Sequence, residues 1–143
     1  MKFLQDELIE LDADAGTPEE AIRAAGSLLT SLGAASAAYT EAMLDSYRER
    51  GPYFVIAPGI ALPHAKAESG VFEAAVSFVR LRRPVAFGHR TNDPVDLVFA
   101  LVSASGADHI AMLRKLTLLL NDPKRVEALR RAKRREDVRE LFI

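Results

Sequence analysis

Three histidines, His64, His89 and His109, are the residues best able to carry covalent or proton-transfer chemistry in this chain, which holds no cysteine. A neutral imidazole offers one ring nitrogen as a lone-pair nucleophile or base while the other donates a hydrogen bond. His64 closes the segment Gly59-Ile60-Ala61-Leu62-Pro63-His64. Gly59 and Pro63 bracket a short apolar run, so the spacing predicts a stiff backbone that delivers the ring at the end of a strand, where a cleft can form. A surface histidine after a strand fits the same spacing equally well. His109 follows Asp108 at the start of a predicted helix. Free amides and the positive dipole end attract anions there and disfavour the imidazolium. A first-turn histidine that only neighbours its cap fits as well. His89, between Phe87 and Pro94, reads as an exposed loop residue.

Other chemistries are disfavoured. Asp93, Asp96 and Asp108 lie near the histidines in sequence, but no pair has the spacing of a zinc motif. There is no glycine-rich nucleotide loop and no G-x-S-x-G elbow, which argues against a nucleotide-driven kinase or an ordinary serine hydrolase. No cofactor and no metal are expected. The absence of cysteine removes disulfides, thiolate zinc sites and thiol nucleophiles, and fits a reducing compartment.

The elements that must position these rings belong to a chain of 143 residues, 49% hydrophobic and 27% charged, enough for one globular domain over 1–143 with its own core. A formal net charge of −1 gives no global field for nucleic acid or an acidic membrane surface. No apolar run approaches the ~20 residues of a membrane span, and the acidic start does not resemble a signal peptide, so a cytoplasmic protein is expected. Residues 1–20 carry seven acids against Lys2, and 123–143 carry eight Lys/Arg against four acids. Both read as solvated helix faces, and the basic segment lacks the interleaved aromatics of a nucleic-acid binder.

Thr17-Pro18-Glu19-Glu20 predicts a helix start, with Thr17 as cap, Pro18 in the first turn and Glu20 completing a capping box. Ile22, Ala25, Leu29 and Leu32 follow at helical spacing, and Gly33 suits the stop. A second helix runs from about Ser36 to Gly51-Pro52, with Tyr39, Met43 and Tyr47 on one face. Short strands are expected at 53–56, 60–62, 73–81 and 94–103, with another extended piece at 85–87. Three helices close the chain, the first striped by Ile110, Leu113, Leu116 and Leu120. This order predicts an α/β fold: a three-layer sandwich with a mixed sheet of about five strands flanked by helices. Strands gathered in mid-chain do not fit a regular Rossmann alternation.

The segment Gly59 to His64 resembles the active-site signature of enzyme IIA domains of the bacterial sugar phosphotransferase system, in the mannitol/fructose-type superfamily. Met43-Leu44 with Arg48-Glu49, 16 residues before His64, is similar to the end of that family's second helix. Pro84 to Gly88 and Pro94 to Phe99 resemble its mid-sheet strands, and Asp108-His109-Ile110 its second-histidine helix. Tyr53 to Ala65 is most similar to the ascorbate-type branch. Ala65 follows the histidine where mannitol and fructose branches more often carry glycine.

The resemblance implies that His64 accepts a phosphoryl group, commonly on Nε2, from the phosphocarrier HPr and passes it to a IIB component of the cognate permease. It implies that His109 hydrogen-bonds the phosphoryl oxygens and that Arg48 offers them a charged fork. It implies neither nucleic-acid binding nor direct membrane insertion. The oligomeric state is left open, a homodimer included. A regulatory relative that signals nitrogen or carbon status through the same histidine, and a histidine-based metal-binding domain, are the alternatives.

Overall fold

The computed structural model describes residues 1–66 and 70–142. One mixed sheet organises them. Its strands are β1 (Lys2–Phe3), β2 (Ile9–Ala13), β3 (Val55–Ala57), β4 (Ile60–Ala61), β5 (Ala75–Val85) and β6 (Val95–Val102). Along the sheet the order is β1-β5-β6-β4-β3, with β2 also paired to β5. β5 and β6 are antiparallel, with Phe78 opposite Phe99. β4 lies parallel to β6, and β3 returns antiparallel on β4.

Alternation along β6 explains the layers. Leu97, Phe99 and Leu101 enter one core, with Val76 and Phe78 of β5. Val98, Ala100 and Val102 enter the other, with Val79 and Leu81. Successive side chains of a strand point to opposite faces, so a strand covered on both sides is apolar throughout. The second face is covered by α1 (Pro18–Ser31) and α2 (Ala37–Arg50), through Ile22, Ala25, Leu29, Tyr39 and Met43. The first is covered by α3 (Gly106–Leu120), α4 (Pro123–Arg131) and α5 (Arg135–Glu140), through Met112, Leu116, Leu129 and Val138. This is the expected α/β sandwich of three layers.

Local signals behave as the sequence predicts at α1. Thr17 Oγ1 accepts from Glu20 N–H at 3.1 Å, and Glu20 reaches back to accept from Gly16 N–H at 3.0 Å. Two features differ. No strand is expected before Thr17, yet β1 and β2 both pair parallel with β5. Acidic residues obscure the apolar signal there: Leu8, Ile9 and Ala13 are buried while Asp12 faces solvent. Further on, β5 continues past Leu81 to Val85 through an irregularity in its pairing with β6. The Arg82-Arg83-Pro84 stretch is therefore a bent strand and not a break.

Candidate functional site

His64 stands three residues beyond β4, half-buried at the mouth of a cleft of about 910 Å³. Parallel pairing with β6 continues past the strand, because Leu101 N–H donates to the Pro63 carbonyl at 3.0 Å. Pro63 can donate no bond of its own, so the chain is free to turn there. The His64 Nδ1 lies 2.7 Å from the carbonyl oxygen of Leu62. A carbonyl only accepts, so Nδ1 carries a proton, and in the neutral ring Nε2 keeps the lone pair. That tautomer is set by the chain itself, two residues back.

His109 is brought to the same cleft from the other side. β6 ends at Val102, and Ser105 caps α3 by accepting from Asp108 N–H at 3.1 Å. His109 follows in the first turn, with Nδ1 3.5 Å from Ser103 Oγ. The two imidazole centroids are 6.0 Å apart, so a group carried on one ring is within reach of the other. Gly106 also lines the cleft and adds the amide end of α3 to the same side.

α2 supplies the remaining wall. Tyr39, Ala42, Asp45, Ser46 and Glu49 line it at helical spacing. Tyr53 closes the rim. Its ring meets His64 edge-on at 5.7 Å, and its hydroxyl donates to the His64 carbonyl at 3.1 Å while lying 2.9 Å from Ser46 Oγ. Arg50 and Lys66 bring positive charge to the opening. An anion entering the cleft therefore meets two imidazoles, a helix N-terminus and two cations, against the carboxylates of Asp45 and Glu49.

The sequence-derived residues separate in space. His64 and His109 converge. Arg48 is absent from the described lining; its half-exposed guanidinium stands 3.5 Å from Asp45, which does line the cleft. Arg50, two residues on, does line the cleft. His89 lies apart, its Nδ1 accepting from Thr91 and Asn92 N–H at 3.2 and 3.1 Å within its own loop. Among the described residues no group of three or more His, Cys, Asp or Glu side chains is placed to hold a metal ion. Sequence reasoning did not single out Arg50, Lys66, Tyr39 or Tyr53 as site residues. Tyr39 was legible only as part of the apolar stripe of α2.

The α/β sandwich thus brings two imidazoles, the amide end of α3, Arg50 and Lys66 to one cleft. Residues 2–143 match the model of the phosphoenolpyruvate-dependent sugar phosphotransferase system EIIA 2 family, and the chain belongs to that family. It is therefore a phosphotransferase-system component. The ascorbate-specific PTS system EIIA component of Escherichia coli K12 is 33% identical over 139 residues, 96% of this chain and 90% of that protein. The enzyme IIA of the E. coli mannitol system, in a structure of its complex with phosphorylated enzyme IIB, is 32% identical with a TM-score of 0.86, covering 98% of this chain and 97% of that one. The nitrogen regulatory protein IIA-Ntr of Neisseria meningitidis is 27% identical with a TM-score of 0.81, covering 97% and 95%. No described helix is long and apolar enough to cross a membrane.

Proposed function

We propose that this protein is the cytoplasmic phosphoryl carrier of an ascorbate-type sugar uptake system, loaded on His64 by phospho-HPr and unloaded by a IIB component. One observation carries the reading. The Leu62 carbonyl holds the Nδ1 proton of His64, which assigns the lone pair of the neutral ring to Nε2, and the ring centroid lies 6.0 Å from that of His109. In the first step Nε2 attacks the phosphorus of the donor phosphohistidine. The new N–P bond forms as the donor's N–P bond breaks, and that electron pair stays on the donor ring. In the second step a nucleophile of the IIB component, commonly a cysteine thiolate in this superfamily, takes the phosphoryl group and returns the pair to Nε2. No proton need leave His64 in either direction, which suits a reversible relay.

Transfer of this kind needs alignment and charge stabilisation more than covalent help. His109 donates to the phosphoryl oxygens from the start of α3, where fixed dipoles need no reorganisation. Guanidinium charge comes from the last turn of α2. Arg50, which lines the cleft, supplies it in place, and Arg48, paired with Asp45, contributes less. Tyr53, 39% exposed beside His64, and Ile110, 58% exposed beside His109, give both partners an apolar rim to dock on. Docking at such a rim is brief and of modest affinity, as a relay requires.

The ascorbate lean rests on the relatives and on Ala65 after the histidine. A transport role is favoured over a regulatory one because identity is higher to the sugar-type proteins. The test is incubation with phosphoenolpyruvate, enzyme I and HPr, then with IIB components of the ascorbate and mannitol types. Wild type is expected to take one acid-labile phosphate and pass it faster to the ascorbate-type IIB, while His64→Ala takes none. Equal labelling of His64→Ala would end the proposal.

A further inference from the structure

The parallel ladder between β4 and β6 has a gap immediately after His64. Gly59 C=O accepts from Leu97 N–H and Pro63 C=O accepts from Leu101 N–H, both at 3.0 Å and in the same register. The next rung of a parallel ladder is a bond from Ala65 N–H to the Leu101 carbonyl. That rung is occupied instead by the hydroxyl of Tyr39, which accepts from Ala65 N–H at 3.1 Å and donates to the Leu101 carbonyl at 2.5 Å. The side chain reaches the seam from the first turn of α2 and is only 2% exposed. A phenol oxygen inserted between two backbone groups holds them farther apart than a direct bond would. The strands therefore part where His64 leaves one and Ser103, leading to His109, leaves the other.

Resting on the reading of His64 as phospho-acceptor, we infer that Tyr39 is a positioning residue for phosphoryl transfer: its hydroxyl fills the missing rung and thereby sets the separation of His64 from His109. Both of these hydrogen bonds go to backbone groups, so the phenol acts through the backbone on both sides of the cleft. Burial also pushes its pKa up to about 12, so the hydroxyl keeps the proton it donates across the physiological range. Without the hydroxyl, Ala65 N–H and the Leu101 carbonyl either close directly, drawing His64 toward β6, or lose their partners. A misplacement of about 1 Å is enough to slow a positioned reaction on the order of 100-fold.

Single-turnover transfer from phospho-HPr tests this in four proteins: wild type, Tyr39→Phe, His109→Ala and the double variant. Tyr39→Phe is expected to fold, to label on His64, and to transfer on the order of 10- to 100-fold more slowly at saturating donor with the half-saturating concentration unchanged. In the His109→Ala background the same substitution is expected to cost little, because the spacing it sets has lost its second member. Full-rate transfer by Tyr39→Phe, or an equal slowing in both backgrounds, overturns the inference. A measurement on wild type alone guards against misfolding of the variant: the Ala65 amide is expected to exchange slowly with solvent, and fast exchange in the folded protein would remove the bond on which the inference stands. Failure of wild type to label on His64 would instead count against the carrier reading.

Discussion

The turn that leads into β4 contains a glycine whose replacement has a calculable consequence. Gly59 has φ +77°, in the left-handed region. A Cβ placed there would lie 2.6 Å from Nη2 of Arg130 and 2.9 Å from Oδ1 of Asp96. Those atoms form one ion pair, with Arg130 Nε donating to Asp96 Oδ2 at 2.8 Å and Nη2 to Oδ1 at 3.0 Å. Gly59→Ala thus has two costs. Holding alanine in the left-handed region costs about 1–2 kcal/mol. Arg130 is the flexible partner and must swing away, losing a two-pronged pair whose side chains are 32% and 22% exposed; after allowance for solvent, its loss costs about 1 kcal/mol. The expected destabilisation is about 2–3 kcal/mol, and Arg130→Ala alone is expected to cost about 1. The decisive quantity is the double variant. If the methyl group evicts the guanidinium, the pair is lost only once, so the double variant falls about 1 kcal/mol short of the sum, above the ~0.5 kcal/mol scatter of independent sites. Urea unfolding of the four proteins measures this. Additive costs would refute the eviction, and a cost for Gly59→Ala below about 0.5 kcal/mol would refute the backbone argument too.

Two further outcomes follow from the same structure. Arg50→Ala is expected to slow phosphoryl transfer by about 10-fold or more in a single-turnover assay, as loss of one charge-stabilising donor does, and Arg48→Ala is expected to slow it less; the reverse order would mean that Arg48 leaves Asp45 when a partner docks. In alkaline solution the folded protein keeps the Tyr39 proton up to about pH 12, whereas an unfolded tyrosine loses it near ~10. The unfolded chain then binds fewer protons, so this contribution is complete below pH 10 and falls by about 1.4 kcal/mol per pH unit between the two values. Tyr39→Phe is expected to lack that part of the slope in urea unfolding between pH 10 and 12, and an unchanged slope would deny the raised pKa.

Helices and long strands were legible because their signals are local and repeated. The Thr17 cap, the Ile22-Ala25-Leu29 stripe and the apolar run from Leu97 to Val102 in β6 each announce one element without help from the rest of the chain. β1 and β2 were not legible, since both are short, β2 is interrupted by Glu10 and Asp12, and both are held by pairing with β5 more than 60 residues later in the sequence. A strand whose partner lies that far along the chain leaves little periodicity to read. The bend in β5 was hidden for a related reason: Arg82-Arg83-Pro84 reads as a terminator, and only the pairing of Val85 with Val95 shows the ladder resuming.

The two histidines of the candidate cleft were legible because each belongs to a recognisable local motif. What lies between the motifs was not. Residues 42, 45, 46 and 49 line the cleft, so one face of α2 is turned toward it. At about 100° per residue, Arg48 projects from α2 away from Ser46. Arg50, at the helix end, reaches the opening beside Tyr53, with its guanidinium 5.8 Å from the ring centroid. Sequence spacing fixes how residues are arranged around a helix but not which side meets the sheet, and that rotation is set by the packing of Tyr39, Met43 and Leu44 against the core. Tyr39 shows the same ambiguity within one residue. Its ring belongs to the core stripe and its hydroxyl to the seam beside His64. An apolar pattern records the ring and is silent about the oxygen.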